Sequence, residues 1–186
     1  HSARAAGIAI PEEAFALSSL FLDSVQVDGG ARYRYEEVDP ESQASPALTA
    51  EGLLCRQYLG WPKDYEAMRE GVAWLLSPQF KPVWQPGKRN VYHWYYATHT
   101  LHNMGGEDWK TWYGQVQHEI IENQNTRGGE DMKGSWNPHI YDAKTRTRSY
   151  GADHEYARFG GRLYITCLCL LTLEAPYRHR PIYGDE

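Results

Sequence analysis

The sequence predicts an all-α fold of about six helices in three pairs, each pair joining an outer helix to an inner one. Three observations carry this. Glycine closes "ARAAG", "RQYLG" and "HNMGG" at Gly7, Gly60 and Gly105, and glutamine closes "FLDSVQ", "WLLSPQ" and "IIENQ" at Gln26, Gln79 and Gln124. The glycine-to-glutamine distance is 19 residues each time, and the unit recurs after 53 and then 45 residues. Self-similarity of this kind marks a repeated structural unit, and glycine is the residue that ends a helix in left-handed backbone. Each glutamine is followed by a glycine- or proline-rich turn carrying an aromatic: Tyr33 in "DGGARY", Trp84 in "KPVW" and Trp136 in "GSW". Finally, the segments between these marks alternate between apolar on one side and apolar nearly all round.

Taken in order, "IPEEAFALSSLFLDSVQ" starts with Pro11, placed where a first helical turn needs no N–H, and reads as one-sided. "PALTAEGLLCRQYLG" is apolar around its girth and reads as enclosed. "DYEAMREGVAWLLS" starts behind Asp64, a candidate N-cap, and is one-sided again. "NVYHWYYATHTLHNMGG" is enclosed. In "EDWKTWYGQVQHEIIENQ" the residues Trp109, Trp112, Tyr113, Val116 and Ile120 share one face, while Gln115, His118, Glu119 and Glu122 take the others. "GRLYITCLCLLTLE" is the last enclosed helix. Residues 126–161 lack clear periodicity, are rich in glycine and charge, and exceed the usual loop length. Trp136 is expected to pin their start to the outer helices, and Asn137–Pro138 marks a turn. This segment, which holds Asp153 and His154, is where a ligand or partner surface is sought first; an irregular connection packed over one rim is the equal alternative.

Composition sets outer bounds. At 186 residues, 41% hydrophobic and 13% aromatic, the chain can bury one sizeable core, so residues 1–186 are expected to form a single domain. A net charge of -5 with basic residues scattered among acids leaves no basic stripe, which argues against nucleic acid as a partner. No apolar run approaches the ~18 residues of a membrane span. Three cysteines, Cys55, Cys167 and Cys169, are too few for a disulfide framework.

A series of helix pairs with glutamine and a glycine-aromatic turn between outer and inner helices resembles the α/α toroid of terpenoid cyclases and protein prenyltransferases. The turn marks are similar to the cyclases' QW repeat, in which glutamine is followed within a few residues by G-x-W. Here "QNTRGGEDMKGSW" stretches that spacing, Tyr33 replaces the tryptophan in the first unit, and the second lacks the G-x-W form. The resemblance spans nearly the whole chain and is strongest to uncharacterised bacterial, squalene cyclase-like proteins with prenyltransferase and squalene-oxidase repeats. It implies a partial toroid: a full ring has twice as many helices as this chain supplies. With a start at His1 that reads as mid-helix, the chain is expected to be the C-terminal half of a larger ring. Its open flank, "HSARAAGIAI" together with Leu163, Leu168, Leu171 and Leu173, is then expected to pack on the missing half or on a second copy. The tail "APYRHRPIYGDE" offers Tyr177, Pro181, Ile182 and Tyr183 as anchors for covering part of it.

The resemblance also tests the chemistry. "LYITCLCL" is similar to the prenyltransferase segment Y-H-T-C-Y-C-L, matching it at Tyr164, Thr166, Cys167, Cys169 and Leu170, but the zinc-binding histidine is replaced by Ile165. The family's D-x-C ligands correspond to Asn90 and Tyr92. Zinc needs converging S, N or carboxylate donors, so no metal is expected at these positions. Cys167 and Cys169, two apart on a helix, point to different sides and read as small core residues. The D-x-D-D acid of squalene-type cyclases is absent, as is the C-G-E-Q tetrapeptide of the thioester-containing toroids. The close acid pairs Glu12/Glu13, Glu36/Glu37, Glu107/Asp108, Glu130/Asp131 and Asp185/Glu186 lie mostly at helix starts or in turns, where negative charge offsets the helix dipole.

Two sets of residues remain as site candidates. Tyr92, Trp94, Tyr95, Tyr96 and Tyr164 are candidates to line an apolar cavity, as aromatic faces do in cyclases, or else to fill the core. His99 and His102, three residues apart, are candidates to share a face; a metal or general-base role for them needs a third donor such as Asp153 or His154, and structural histidines are the alternative. The expected function is a non-catalytic binding or interaction module for a hydrophobic small molecule or a protein partner, with no cofactor. The alternative is part of a cyclase-like lyase or other lipid-processing enzyme whose catalytic acid lies upstream.

Overall fold

The computed structural model describes residues 2–36, 43–129 and 132–184. Among them seven α-helices dominate, accompanied by two short β-hairpins, so the fold class is all-α. Of the acids named above, Glu37, Glu130, Asp131, Asp185 and Glu186 lie outside the described residues. The chain forms two compact units, His1–Leu75 and Leu76–Glu186.

The first unit holds α1 (Ser2–Ala5), α2 (Glu12–Val25), α3 (Pro46–Tyr58) and α4 (Glu66–Leu75). Gly7 and Gly60, which follow α1 and α3, have φ of 71° and 97°, and Gly105 after the next enclosed helix has 65°; the repeated glycines are helix stops. Between α2 and α3 the chain makes a hairpin, β1 (Gln26–Val27) with β2 (Arg32–Tyr33), in which Gln26 pairs with Tyr33. The hairpin delivers Tyr33 into the core at 1% exposure. Its backbone N–H donates to Thr49 Oγ1 at 3.1 Å, and its hydroxyl accepts from Arg56 Nε at 3.0 Å. Gly52 on α3 is required by this ring: a Cβ there would lie 2.4 Å from Tyr33 Cγ. Arg56 is itself buried; its guanidinium pairs with Asp23 of α2, donates to Ser19 Oγ at 2.9 Å and stacks on Trp61 at 4.6 Å.

The second unit holds α5 (Val91–Met104), α6 (Gly106–Glu122) and α7 (Ala157–Arg178), the last broken at Gly161, where φ is 65°. α6 buries Trp112, Val116 and Ile120 and keeps Trp109 and Tyr113 half-buried, the one-sided face read from its spacing. Glu107 and Asp108 occupy its first turn, as Glu12 and Glu13 do in α2. Trp136 reproduces the role of Tyr33: it is 1% exposed, its backbone N–H donates to Thr166 Oγ1 at 3.1 Å, and its indole N–H donates to Ile120 O at 2.6 Å. The start of residues 126–161 is thus pinned to α6, as expected.

Four expectations are corrected. Residues 126–161 are not without regular structure: β3 (Ile140–Asp142) pairs with β4 (Thr147–Ser149), and a 3-10 turn follows at Asp153–Glu155. α7 is not enclosed all round. It buries Ile165, Leu168, Cys169, Thr172 and Ala175, a single stripe, while Leu163 is 75% and Leu170 43% exposed. Cys169 lies on the buried side, where burial pushes its thiol pKa up, and Cys167 is exposed, so only one of the pair fills the core. In the tail, Pro181, Ile182 and Tyr183 are half-buried but Tyr177 is 80% exposed and anchors nothing. No helix among the described residues is long and apolar enough to cross a membrane.

Candidate functional site

The start of α5 is set by two devices. Asn90, aligned above with a zinc-binding aspartate, caps the helix by accepting from His93 N–H at 3.0 Å. Beside it Arg89 and Glu155, both with wholly buried side chains, form a two-point ion pair with Nε–Oε1 and Nη2–Oε2 distances of 2.8 Å. Arg89 also donates to Asn137 O at 2.9 Å and Pro138 O at 2.7 Å, and stacks on Trp84 at 4.6 Å. Glu155 accepts a further bond from Val91 N–H at 3.0 Å. A buried charge pair is tolerable only with its remaining donors and acceptors occupied, and this one is satisfied on both sides. Its effect is positional, for it holds both ends of residues 137–155 against the first turn of α5 and brings the next residue, Tyr156, over that helix.

From there a row of rings runs along α5. Tyr156 meets Tyr92 edge-on at 6.3 Å, Tyr92 meets Tyr96 at 5.0 Å, Tyr96 meets Tyr95 at 5.0 Å, Tyr95 meets His99 at 4.7 Å, and His99 meets His179 at 4.8 Å. The interplanar angles, 71° to 82°, are those of edge-to-face packing, which opposes the positive ring edge to the negative face. The row exists because residues 92, 95, 96 and 99 sit at i, i+3, i+4 and i+7, one stripe of a helix. Tyr92, Tyr95, Tyr96 and Tyr164 are half-buried and Tyr156 is 51% exposed, so the row keeps part of its ring surface open. Tyr164 belongs to the same neighbourhood: burial first, then Glu155, Tyr96 and Tyr156, push its phenol up to about 12. It is a neutral hydrogen-bonding group at ordinary pH.

The other candidates lie elsewhere. Trp94 is 2% exposed and packs on Trp84 at 6.0 Å, a core residue outside the row. His102 turns to Trp109 of α6 at 4.8 Å. Asp153 and His154 are exposed on the 3-10 turn, and among the described residues no three His, Cys, Asp or Glu side chains gather as a metal-ligand set. His99 is the buried polar member of the row. It is 6% exposed, its Nε2 has no hydrogen-bond partner among the described residues, and burial, with His179 and His102 nearby, lowers its pKa to about 4. The imidazole is therefore neutral at pH 7.

Of the candidates named from the sequence, Tyr92, Tyr95, Tyr96 and His99 stand in this row and Tyr164 beside it. Sequence reading missed Tyr156 and His179, which reach the row only through the Arg89–Glu155 pair and the course of the tail, and it missed that pair itself. The arrangement offers flat π surface, phenol hydroxyls and one neutral imidazole, a chemistry of binding more than of proton transfer. Comparison of the chain with protein-family models, with curated proteins and with solved structures gives no match in any of the three.

Proposed function

We propose that this chain is part of an α/α toroid of the terpenoid-cyclase and protein-prenyltransferase kind, and that it serves as a non-catalytic module binding a hydrophobic molecule against the ring row of α5. The observation that carries the reading is the row itself, six edge-to-face rings from Tyr156 to His179 with the tyrosines left part-open. Aromatic surface with a few placed polar groups is what apolar ligands use. The toroid is supported by the thrice-repeated helix stops, by the buried turn aromatics Tyr33 and Trp136, and by the enclosed character of α3 and α5. On the same reading the exposed residues Leu17, Leu20 and Phe21 of α2 and Phe159, Leu163 and Leu170 of α7 are flanks that pack on a second copy or on the rest of the ring.

The test is incubation of the chain with squalene and with geranylgeranyl diphosphate, followed by recovery of bound ligand and mass spectrometry of everything released. Saturable retention of unchanged ligand, lost in Tyr92→Ala/Tyr96→Ala, supports the reading. A cyclised or dephosphorylated product replaces it with the enzyme reading, and retention of neither compound ends it.

A further inference from the structure

The segment that follows α7, residues 179–183, is tied to α5 at two points. Ile182 N–H donates to Asn103 Oδ1 at 3.1 Å, and the His179 ring stands edge-on to His99 at 4.8 Å and 79°. Asn103 and His99 are four residues apart on α5 and both are 6% exposed, so the two attachments lie along one stripe of a buried helix surface. Pro181, Ile182 and Tyr183 are half-buried.

One attachment depends on charge. Among the described residues, the rings that face His99 are Tyr95 from its own helix and His179 from the tail, and the charges that act on it are those of His179 and His102. No carboxylate is among them. Its Nε2 is buried and unpartnered, which a neutral imidazole tolerates and an imidazolium does not. Protonation there places a positive charge with no acceptor beneath a second imidazole, and the simplest relief is to lift the tail and admit water.

We propose that residues 179–183 form a proton-operated latch on α5: a neutral His99 against the His179 ring keeps it closed, and protonation of His99 frees the tail from Asn103 and uncovers the end of the ring row. The latch concerns the chain's own tail and stands whether or not the row binds a ligand. Because binding of the proton and closure oppose each other, each pKa unit that His99 recovers on release favours opening about tenfold.

The test is amide hydrogen exchange in the full chain, corrected for the intrinsic rate at each pH, read at Ile182 for the tail and at Leu101, wholly buried on α5, for the fold. Between pH 7.5 and pH 5 the protection of Ile182 is expected to fall on the order of tenfold while staying well below that of Leu101, whose amide opens only with the fold. In His99→Phe, which keeps a ring without a titratable nitrogen, Ile182 protection is expected to be level over that range. Should that variant not fold, Ile182→Pro, at a half-buried tail position, removes the donated N–H; there the His99 imidazole, followed by NMR, is expected to titrate at a higher pH than in the wild type. Equal Ile182 protection at both pH values, Ile182 protection as high as that of Leu101, or an unmoved His99 titration in Ile182→Pro each overturns the latch.

Discussion

Arg89 and Glu155, 66 residues apart in sequence, close on each other as a two-point ion pair with both side chains wholly buried. The pair converts residues 126–161, which read as an irregular connection, into a segment anchored at the head of α5.

Removing one partner strands the other charge in the interior. Arg89→Met is therefore expected to destabilise the second unit by about 3–5 kcal/mol, whereas Arg89→Met with Glu155→Leu loses less, because no charge is left unpaired. Urea denaturation of both variants checks this; equal losses would show that packing, and not charge, is what the pair supplies.

Tyr33 and Trp136 share a device that the residue pattern does not display. Each donates its backbone N–H to a threonine hydroxyl on the helix that follows, Thr49 or Thr166, at 3.1 Å. Valine at either position keeps the shape and removes the acceptor. Thr49→Val and Thr166→Val are each expected to cost about 1–3 kcal/mol, the desolvation of an unsatisfied N–H. Thermal melts showing either variant unaffected would indicate that water replaces the hydroxyl.

His99 links stability to pH. Its folded pKa is lowered to about 4 from 6.5, so between those values the unfolded chain binds the proton more readily than the folded one. Its contribution is fully present above pH 6.5 and is lost as pH falls toward 4, by about 3 kcal/mol in all. Denaturation midpoints measured from pH 8 to pH 4 are expected to fall over this window in the wild type and to fall less in His99→Phe.

How far the sequence was legible follows the range of the interactions. The helix stops at Gly7, Gly60 and Gly105 and the one-sided face of α6 depend on neighbours within a turn or two, and both were readable. The sequence reading names Tyr92, Tyr95 and Tyr96 together with Trp94, and pairs His99 with His102; the structure keeps the three tyrosines and His99 in one stripe and turns Trp94 and His102 away from it. Tyr156 and His179 join that stripe through contacts across dozens of residues, which no local pattern encodes. The β3–β4 hairpin was legible in principle: Asp142 Oδ1 accepts from Lys144 N–H at 2.8 Å, an aspartate turn inside the alternating run "IYDAKTRTRS". It was obscured by the glycine and charge around it. α7 shows the converse: an uncharged sequence from Leu163 to Leu173 reads as enclosed, although an apolar residue is free to face outward and here Leu163 and Leu170 do.

That outward face supports the last prediction. On α7 the buried stripe through Ile165, Leu168, Cys169 and Thr172 leaves Leu163, Cys167 and Leu170 on the opposite side, at 75% exposure for Leu163 and 43% for Leu170. A charge at a buried position has no partner and no water, so Ile165→Asp is expected to prevent folding. Leu163→Glu and Leu170→Asp place their carboxylates in solvent and are expected to shift the melting temperature by no more than a few degrees. Their effect falls instead on association. If this face is a flank that packs on a second copy, light scattering of the wild type shows concentration-dependent growth in mass, and Leu163→Glu/Leu170→Asp remains monomeric at the same concentrations. A wild type that stays monomeric throughout means that the face is not a contact between copies, and leaves the rest of a ring as its only proposed cover.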